Sequence, residues 1–171
     1  MMVKLTGSLG LALVLAACGS SLNPQPAVDA TEPVHVLYRG SRCPATQPGI
    51  RLIRDAASWA EWQRHRQKMF FSASNEPEDA ATDLDFGQIS VIVISIGQRP
   101  TPGYAVDVPA GSVTRKGASL TISAVWQQPR EGVILPQVIT SPCIAITVPN
   151  APYSTVNIKN QDGDIVISRK F

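Results

Sequence analysis

From Ile89 to Ile96 the chain reads ISVIVISI, an almost unbroken run of β-branched residues. Such a run predicts a central strand covered on both faces, because a strand with one wet face alternates instead. Other segments do alternate. Val34–Tyr38 (VHVLY) and Ile50–Arg54 (IRLIR) read as strands around a Gly40–Gly49 loop. Ala118–Trp126 sets Leu120, Ile122, Ala124 and Trp126 on one face and Ser119, Thr121, Ser123 and Val125 on the other. Cys143–Val148 (CIAITV) and Tyr153–Lys159 (YSTVNIK) are further strands, parted by Pro149-Asn150-Ala151-Pro152. Asp162-Gly163 signals a two-residue hairpin into Ile165–Ile167, which accounts for Asn160, Asp162 and Asp164 without a ligand. Gly97–Gly103 reads as a turn: Pro100 and Pro102 remove donors and Gly103 is free to take positive φ. Tyr104–Val108 is expected to return as the partner strand of Ile89–Ile96.

In one place the period changes. Ser58-Trp59-Ala60-Glu61 has the form of a capping box. Trp59, Trp62 and Met69, with Phe70, recur at helical spacing through about Lys68, opposed by polar Glu61, Arg64, Gln67 and Lys68. This predicts one amphipathic helix whose tryptophans go under a sheet. Ser72–Asp85 is a polar loop carrying Glu76, Glu78, Asp79, Asp83 and Asp85 with no basic residue, and it lacks the spacing of a calcium loop. It reads as a solvated acidic loop. The expected fold class is α+β: mainly antiparallel β, a sandwich-like or strongly curved sheet, with one amphipathic helix, forming a single domain over 34–171.

The N-terminal segment has a different character. MMVKLTGSLGLALVLAA carries Lys4 and then an apolar run from Leu9 to Ala17, a basic n-region followed by an h-region too short to span a bilayer. Residues 1–17 are read as a signal peptide. The run ends in Leu15-Ala16-Ala17-Cys18-Gly19-Ser20, which resembles the bacterial lipoprotein signal. That resemblance implies lipidation of Cys18, which becomes the new N-terminus. Each buried methylene is worth about 0.8 kcal/mol, so the acyl chains the resemblance implies, palmitate among them, hold a protein to a membrane almost permanently. By analogy with sorting in two-membrane bacteria, Gly19 in place of an aspartate implies the outer membrane, facing either the periplasm or the exterior. Gly19–Pro33 is proline-containing and poor in apolar residues, so 18–33 is read as a flexible tether.

Charge and composition narrow the function classes. Fifteen Lys and Arg stand against 13 Asp and Glu, for a formal charge of +2, and no electrostatic footprint for nucleic acid exists. Hydrophobic residues at 44% exclude wholesale disorder. Of three cysteines, Cys43 and Cys143 remain once Cys18 is set aside. In an oxidising compartment two such thiols pair as a disulfide or persist as two small buried apolar groups. No C-x-x-C is present, so thiol redox catalysis and a thiolate metal site both lack their basic requirement. His35 in a strand and His65 on the helix have no acid and nucleophile near them in sequence. The chain contains no H-E-x-x-H, G-x-S-x-G, P-loop or G-x-G-x-x-G. A hydrolase would need a pocket gathering one of those histidines with an acid and a nucleophile. The expectation is a binding module without catalytic residues, metal or cofactor.

Several stretches together point to a family. Asp85-Phe86, Ile89–Gly97, Arg99-Pro100-Thr101-Pro102-Gly103-Tyr104, Pro136–Pro142 and Ile144–Pro149 resemble the PrcB C-terminal domain, over about 85–150. The Trp59/Trp62 helix is similar to the segment that precedes the family core. The sequence departs from the family in having Cys143, not an aromatic, after Ser141-Pro142, and Pro102 inside the turn. The family is named for a non-catalytic subunit of a bacterial surface protease complex. The resemblance therefore implies an accessory or regulatory binding module for an exported protein such as a protease. The alternative is an envelope structural or stress lipoprotein with no dedicated protease partner. Within the turn, Pro100 and Pro102 lower the entropy lost on docking, and Arg99 and Tyr104 are residue types that interfaces favour. Arg99, Pro100, Thr101, Gly103 and Tyr104 are thus candidate partner contacts; the competing reading makes Tyr104 core and Arg99 merely solvated. Gln127–Gly132 is a second candidate edge or a plain connector.

Overall fold

The structure is a computed structural model that describes residues 30–68 and 83–171. The leader, Cys18, residues 19–29 of the expected tether, Met69, Phe70 and the acidic loop from Ser72 through Thr82 lie outside the described residues. Ala30–Glu32, expected in the tether, belong instead to the folded body, where Ala30–Thr31 pair with the 113–116 strand and the Glu32 N–H bonds Val113 O at 2.9 Å. In chain order the elements are β1 (Ala30–Thr31), β2 (Val36–Gly40), β3 (Pro48–Ile53), α1 (Ala56–Lys68), β4 (Ile89–Ile96) and β5 (Ala105–Asp107). Then follow β6 (Val113–Lys116), β7 (Ser119–Ser123), β8 (Val125–Gln127), β9 (Cys143–Pro149), β10 (Thr155–Lys159) and β11 (Ile165–Lys170). A four-stranded antiparallel sheet runs β2-β9-β4-β3. A five-stranded sheet runs β1-β6-β7-β10-β11, antiparallel except for the parallel pair β7–β10. β5 and β8 form a separate antiparallel ribbon. The fold is α+β with mainly antiparallel β, as the patterning predicts.

The ISVIVISI strand is central and buried on both faces, and its unbroken apolar run is the reason: successive side chains enter two different cores. Ile92, Ile94 and Ile96 join Ile144, Ile146 and Val148 of β9 in one core, where they meet Leu120, Ile122, Val156 and Ile158 from the five-stranded sheet. Val91 and Val93 point the other way, with Cys143 and Ala145, into a second core closed by α1. There Trp59 and Trp62 stack with ring centroids 5.0 Å apart, and Tyr38 meets Trp62 edge-on at 5.7 Å. Full burial of such side chains stabilises by roughly 1.5–3 kcal/mol each. The tryptophans do go under the sheet. Glu61, Arg64, Gln67 and Lys68 stay exposed on the outer face.

Several local expectations shift, each for a physical reason. α1 begins one turn earlier than the capping box suggests, because Asp55 is the cap. Its carboxylate accepts the Ser58 N–H and the Ser58 hydroxyl, both at 2.8 Å, so that hydroxyl acts as a donor and is not itself a cap. These bonds, the backbone one first, hold the Asp55 carboxyl below the usual carboxylate range. β2 starts at Val36, leaving His35 outside it, since the His35 N–H bonds the Thr147 hydroxyl at 3.1 Å and the ladder slips between Val36 and Tyr38. Tyr104–Val108 does not pair with Ile89–Ile96: both edges of β4 are taken, by β3 and β9, and β5 pairs with β8 instead. The strand expected over Ala118–Trp126 divides at Ala124, whose N–H turns to Lys159 O at 2.8 Å while β8 leaves the five-stranded sheet. A hairpin forms around Asp162-Gly163, but it is longer than the expected two-residue turn, and residues 160–164 join the strands. The reason is local: Asn160 Oδ1 accepts the N–H groups of Asp162 and Asp164 at 3.1 and 2.8 Å, and the Asn160 N–H bonds Asp164 O at 3.0 Å.

Cys43 and Cys143 are joined as a disulfide, Cα to Cα 6.0 Å, and both are buried. Beside it the Cys43 N–H bonds Ser141 O at 2.9 Å and the Ser141 N–H bonds Ser41 O at 2.7 Å, so the bridge staples the 41–47 loop to the start of β9. It closes a separation of 100 residues. For such a loop chain entropy sets a ceiling near ~4.7 kcal/mol. We expect the Cys43→Ala, Cys143→Ala double variant to lose about 2–5 kcal/mol in denaturant unfolding. The wild type should lose a comparable amount in dithiothreitol, and the double variant nothing further.

Tyr153 supplies a pH dependence. It is buried, its hydroxyl donates to Pro149 O at 2.7 Å, and its phenol is pushed up to about 12 by burial, with the nearby Glu32 charge adding and Arg115 subtracting. Glu32 and Arg115 form an ion pair at the edge of the five-stranded sheet. The folded state keeps the Tyr153 proton to higher pH than the unfolded chain, which releases it near 10. The associated stability is present in full below pH 10 and is lost as pH rises through about 12. We expect Tyr153→Phe to cost about 1 kcal/mol near neutrality and to remove this alkaline loss, as read by denaturation across pH.

Candidate functional site

The Gly97–Tyr104 turn leaves the end of β4 and is pinned at four places. The Gly97 N–H bonds Ser95 Oγ at 3.2 Å and the Gln98 N–H bonds Thr46 O at 3.0 Å. Arg99 and Thr140 exchange both backbone bonds, at 2.8 and 2.9 Å, and the Thr140 hydroxyl donates to Thr101 O at 3.0 Å. At the far end Gly103 has φ +95, and a Cβ there would come within 3.1–3.3 Å of Pro129. The turn is therefore clamped between the 140–141 segment and the Gln127–Gly132 connector.

The five residues singled out in this turn divide. The Arg99 guanidinium stands over the Tyr104 ring, 5.5 Å from its centroid. Tyr104 itself is half-buried and packs on the inter-sheet core. Thr101 is half-buried, with its carbonyl committed to Thr140, while Pro100 and Gly103 are exposed. The turn is thus a rigid base with little apolar surface of its own.

The apolar surface lies next to it, in the chain that follows β8. Val133, Ile134, Val138 and Ile139 are all exposed, Ile134 at 98% and Ile139 at 70%. Leu135 turns inward and, with Gly103, Gln128, Pro129, Arg130 and Val133, lines a groove of about 380 Å³. Each such aliphatic left in water forgoes roughly 1.5–3 kcal/mol of burial. All four fall within seven consecutive residues, and exposed aliphatics so concentrated in the chain are a feature of interaction sites more than of ordinary surfaces. The sequence reading passed over these residues. Their signal was the aliphatic cluster in Gly132-Val133-Ile134-Leu135-Pro136-Gln137-Val138-Ile139, where Pro136 and the absence of alternation argue against a strand.

The groups that hydrolytic chemistry would need are placed differently. His35 is exposed ahead of β2, His65 is exposed on α1, and the groove is lined by neither. Among the described residues no group of three or more His, Cys, Asp or Glu is placed to hold a metal ion. No helix of the described residues is long and apolar enough to cross a membrane.

Residues 90–149 match the family model described as PrcB C-terminal, which supports the resemblance read from the sequence. The matched stretch runs from β4 through β9 and contains the whole of the pinned turn and the exposed aliphatic segment. The match points to an accessory domain associated with a protease complex. No curated protein and no solved structure matches the chain.

The clamp on the turn has a measurable consequence. Gly103→Ala must place a Cβ against Pro129 at positive φ, whereas Gly132, at φ +77, has open space around it. We expect Gly103→Ala to cost about 1–3 kcal/mol and Gly132→Ala about 1 kcal/mol in denaturant unfolding.

Proposed function

We propose that this chain, with its PrcB C-terminal segment, is a non-catalytic lipoprotein of the bacterial envelope. In this reading acyl chains on Cys18 hold it to the outer membrane, and it serves as an accessory or regulatory binding module for an exported protease. The observation that carries the reading is the match over 90–149, the stretch that also bears the rigid turn and its neighbouring aliphatic residues. The address rests on the lipobox-like Leu15-Ala16-Ala17-Cys18. Physical chemistry supports a docking role: a pinned turn loses little entropy on association, and exposed aliphatics gain burial by it. Catalysis has no comparable support, since the exposed histidines and the groove lie apart.

Two measurements test this together. Metabolic labelling with palmitate should mark the wild-type protein and fail to mark Cys18→Ser, which should also leave the membrane fraction. The detergent-solubilised wild type should co-purify with an exported protease identified by mass spectrometry. An unlabelled wild type refutes the anchor, and reproducible recovery of no protease refutes the accessory role.

A further inference from the structure

A glycine inside a regular strand weakens it, and its presence there asks what uses the space the side chain would fill. Gly49 of β3 lies opposite Ser95 of β4 in a ladder without a bulge, and its φ is not positive. A Cβ at this position would meet nothing within 4 Å among the described residues. Neither a turn, nor a left-handed backbone, nor a close approach requires glycine here. The sheet face above it is hollow instead. A cavity of about 170 Å³ opens over Gly49 and Ser95, with Val93 and Trp62 on its apolar side and the disulfide-bonded Cys43 in its wall. That wall is built in advance: the Ser141 hydroxyl donates to Ala45 O, and the Gln98 N–H bonds Thr46 O at 3.0 Å. A preformed hollow that combines apolar side chains with a few placed polar groups is the general form of a small-molecule site. Engineered cavities of roughly 150 Å³ take a molecule of benzene's size.

The polar groups at this cavity are of one kind. Ser95 is 4% exposed; its hydroxyl oxygen accepts the Gly97 N–H at 3.2 Å, and its own proton is bonded to no acceptor among the described residues. Arg51, two residues after Gly49 and so on the same face of β3, is exposed and forms no ion pair among the described residues. Arg169 of β11 gives one N–H to Ile50 O and stands 5.2 Å from the Phe171 ring centroid, which leaves most of its donors uncommitted. No Asp or Glu lines the cavity. Two guanidiniums and a hydroxyl, with no acid to answer them, complement a carboxylate and repel an ammonium ion.

We propose that this cavity binds a small carboxylic acid with a compact apolar body of about benzene's size. The body enters the hollow over Gly49, against Val93 and Trp62. The carboxylate is held by the guanidiniums of Arg51 and Arg169, with the Ser95 hydroxyl as a further donor. The site lies on the helix side of the four-stranded sheet, and the inference stands without the lipid anchor or the protease.

Calorimetry on the detergent-solubilised full chain tests it, with phenylacetate as the probe. Phenylacetate should bind saturably, and its neutral counterpart phenylacetamide and the bodiless acetate should each bind at least tenfold more weakly. Gly49→Val fills the hollow from within a regular strand, where valine is favoured. That variant should keep the wild-type circular dichroism and lose at least tenfold in affinity. Arg51→Gln changes an exposed side chain; it should weaken phenylacetate about tenfold and leave phenylacetamide unchanged. A phenylacetate titration without saturation, equal affinity for the amide, or unchanged phenylacetate affinity in either folded variant overturns the site.

Discussion

Two adjacent strands, β4 and β9, are buried on both faces, and the rest of the molecule is arranged around that fact. Their alternate residues serve different cores: isoleucines toward the five-stranded sheet, and Val91, Val93, Cys143 and Ala145 toward the helix. A slip of one residue would exchange the two sets and drive isoleucines into the tryptophans, so the register is strongly specified. The few polar side chains in these strands are each provided for. Ser90 Oγ donates to Asn150 Oδ1 at 3.2 Å, Ser95 Oγ accepts from Gly97, and Thr147 Oγ1 accepts from His35. Left unpaired, such a group would cost about 1–3 kcal/mol.

The asymmetry of the two faces explains what covers them. Toward α1 the strands offer small residues, Ala145 and the bridged Cys143, and this leaves depth for two stacked indoles and Tyr38. Arg66 closes the outer side of that cluster, its guanidinium 4.2 Å from the Tyr38 ring centroid. Toward the five-stranded sheet, large isoleucines meet Leu120, Ile122 and Ile158, aliphatic against aliphatic. One face is thus filled by a few aromatic rings and the other by many branched side chains.

What the sequence reveals follows from the range over which each signal acts. The doubly buried strand is legible because eight consecutive residues carry it, and the Trp59/Trp62 helix because its period is local. The partner of Tyr104–Val108 is not, since both edges of β4 are claimed by strands far away in the chain, β3 and β9, and nothing near the turn records that competition. The capping box misled because Ser58 satisfies the same pattern whether it caps the helix or hydrogen-bonds a cap three residues earlier. At the candidate site the turn residues were identifiable by type, Arg99 and Tyr104 above all. Their inward commitments depend on Thr140 and Pro129, which only the fold brings near. Ile134 and Ile139 were overlooked for the opposite reason: in a sequence an aliphatic residue counts as core until a structure leaves it in water.

The surface and the central strands are mechanically one object. At the end of β4 and β9 that carries the site, the disulfide fixes Cys143, the 41–47 loop is held by Ser141, whose hydroxyl donates to Ala45 O, and the turn is bonded to Thr140 on both sides. The exposed aliphatic segment therefore springs from a stitched base between Gln127 and Thr140, with Pro129 and Pro136 restricting its backbone further. With its end at Thr140 fixed before docking, the loop has less backbone ordering left to set against the burial of its side chains. The same double burial that specifies the register thus steadies one end of a loop without helix or strand: it leaves β8 and returns at Thr140 beside the turn and the start of β9.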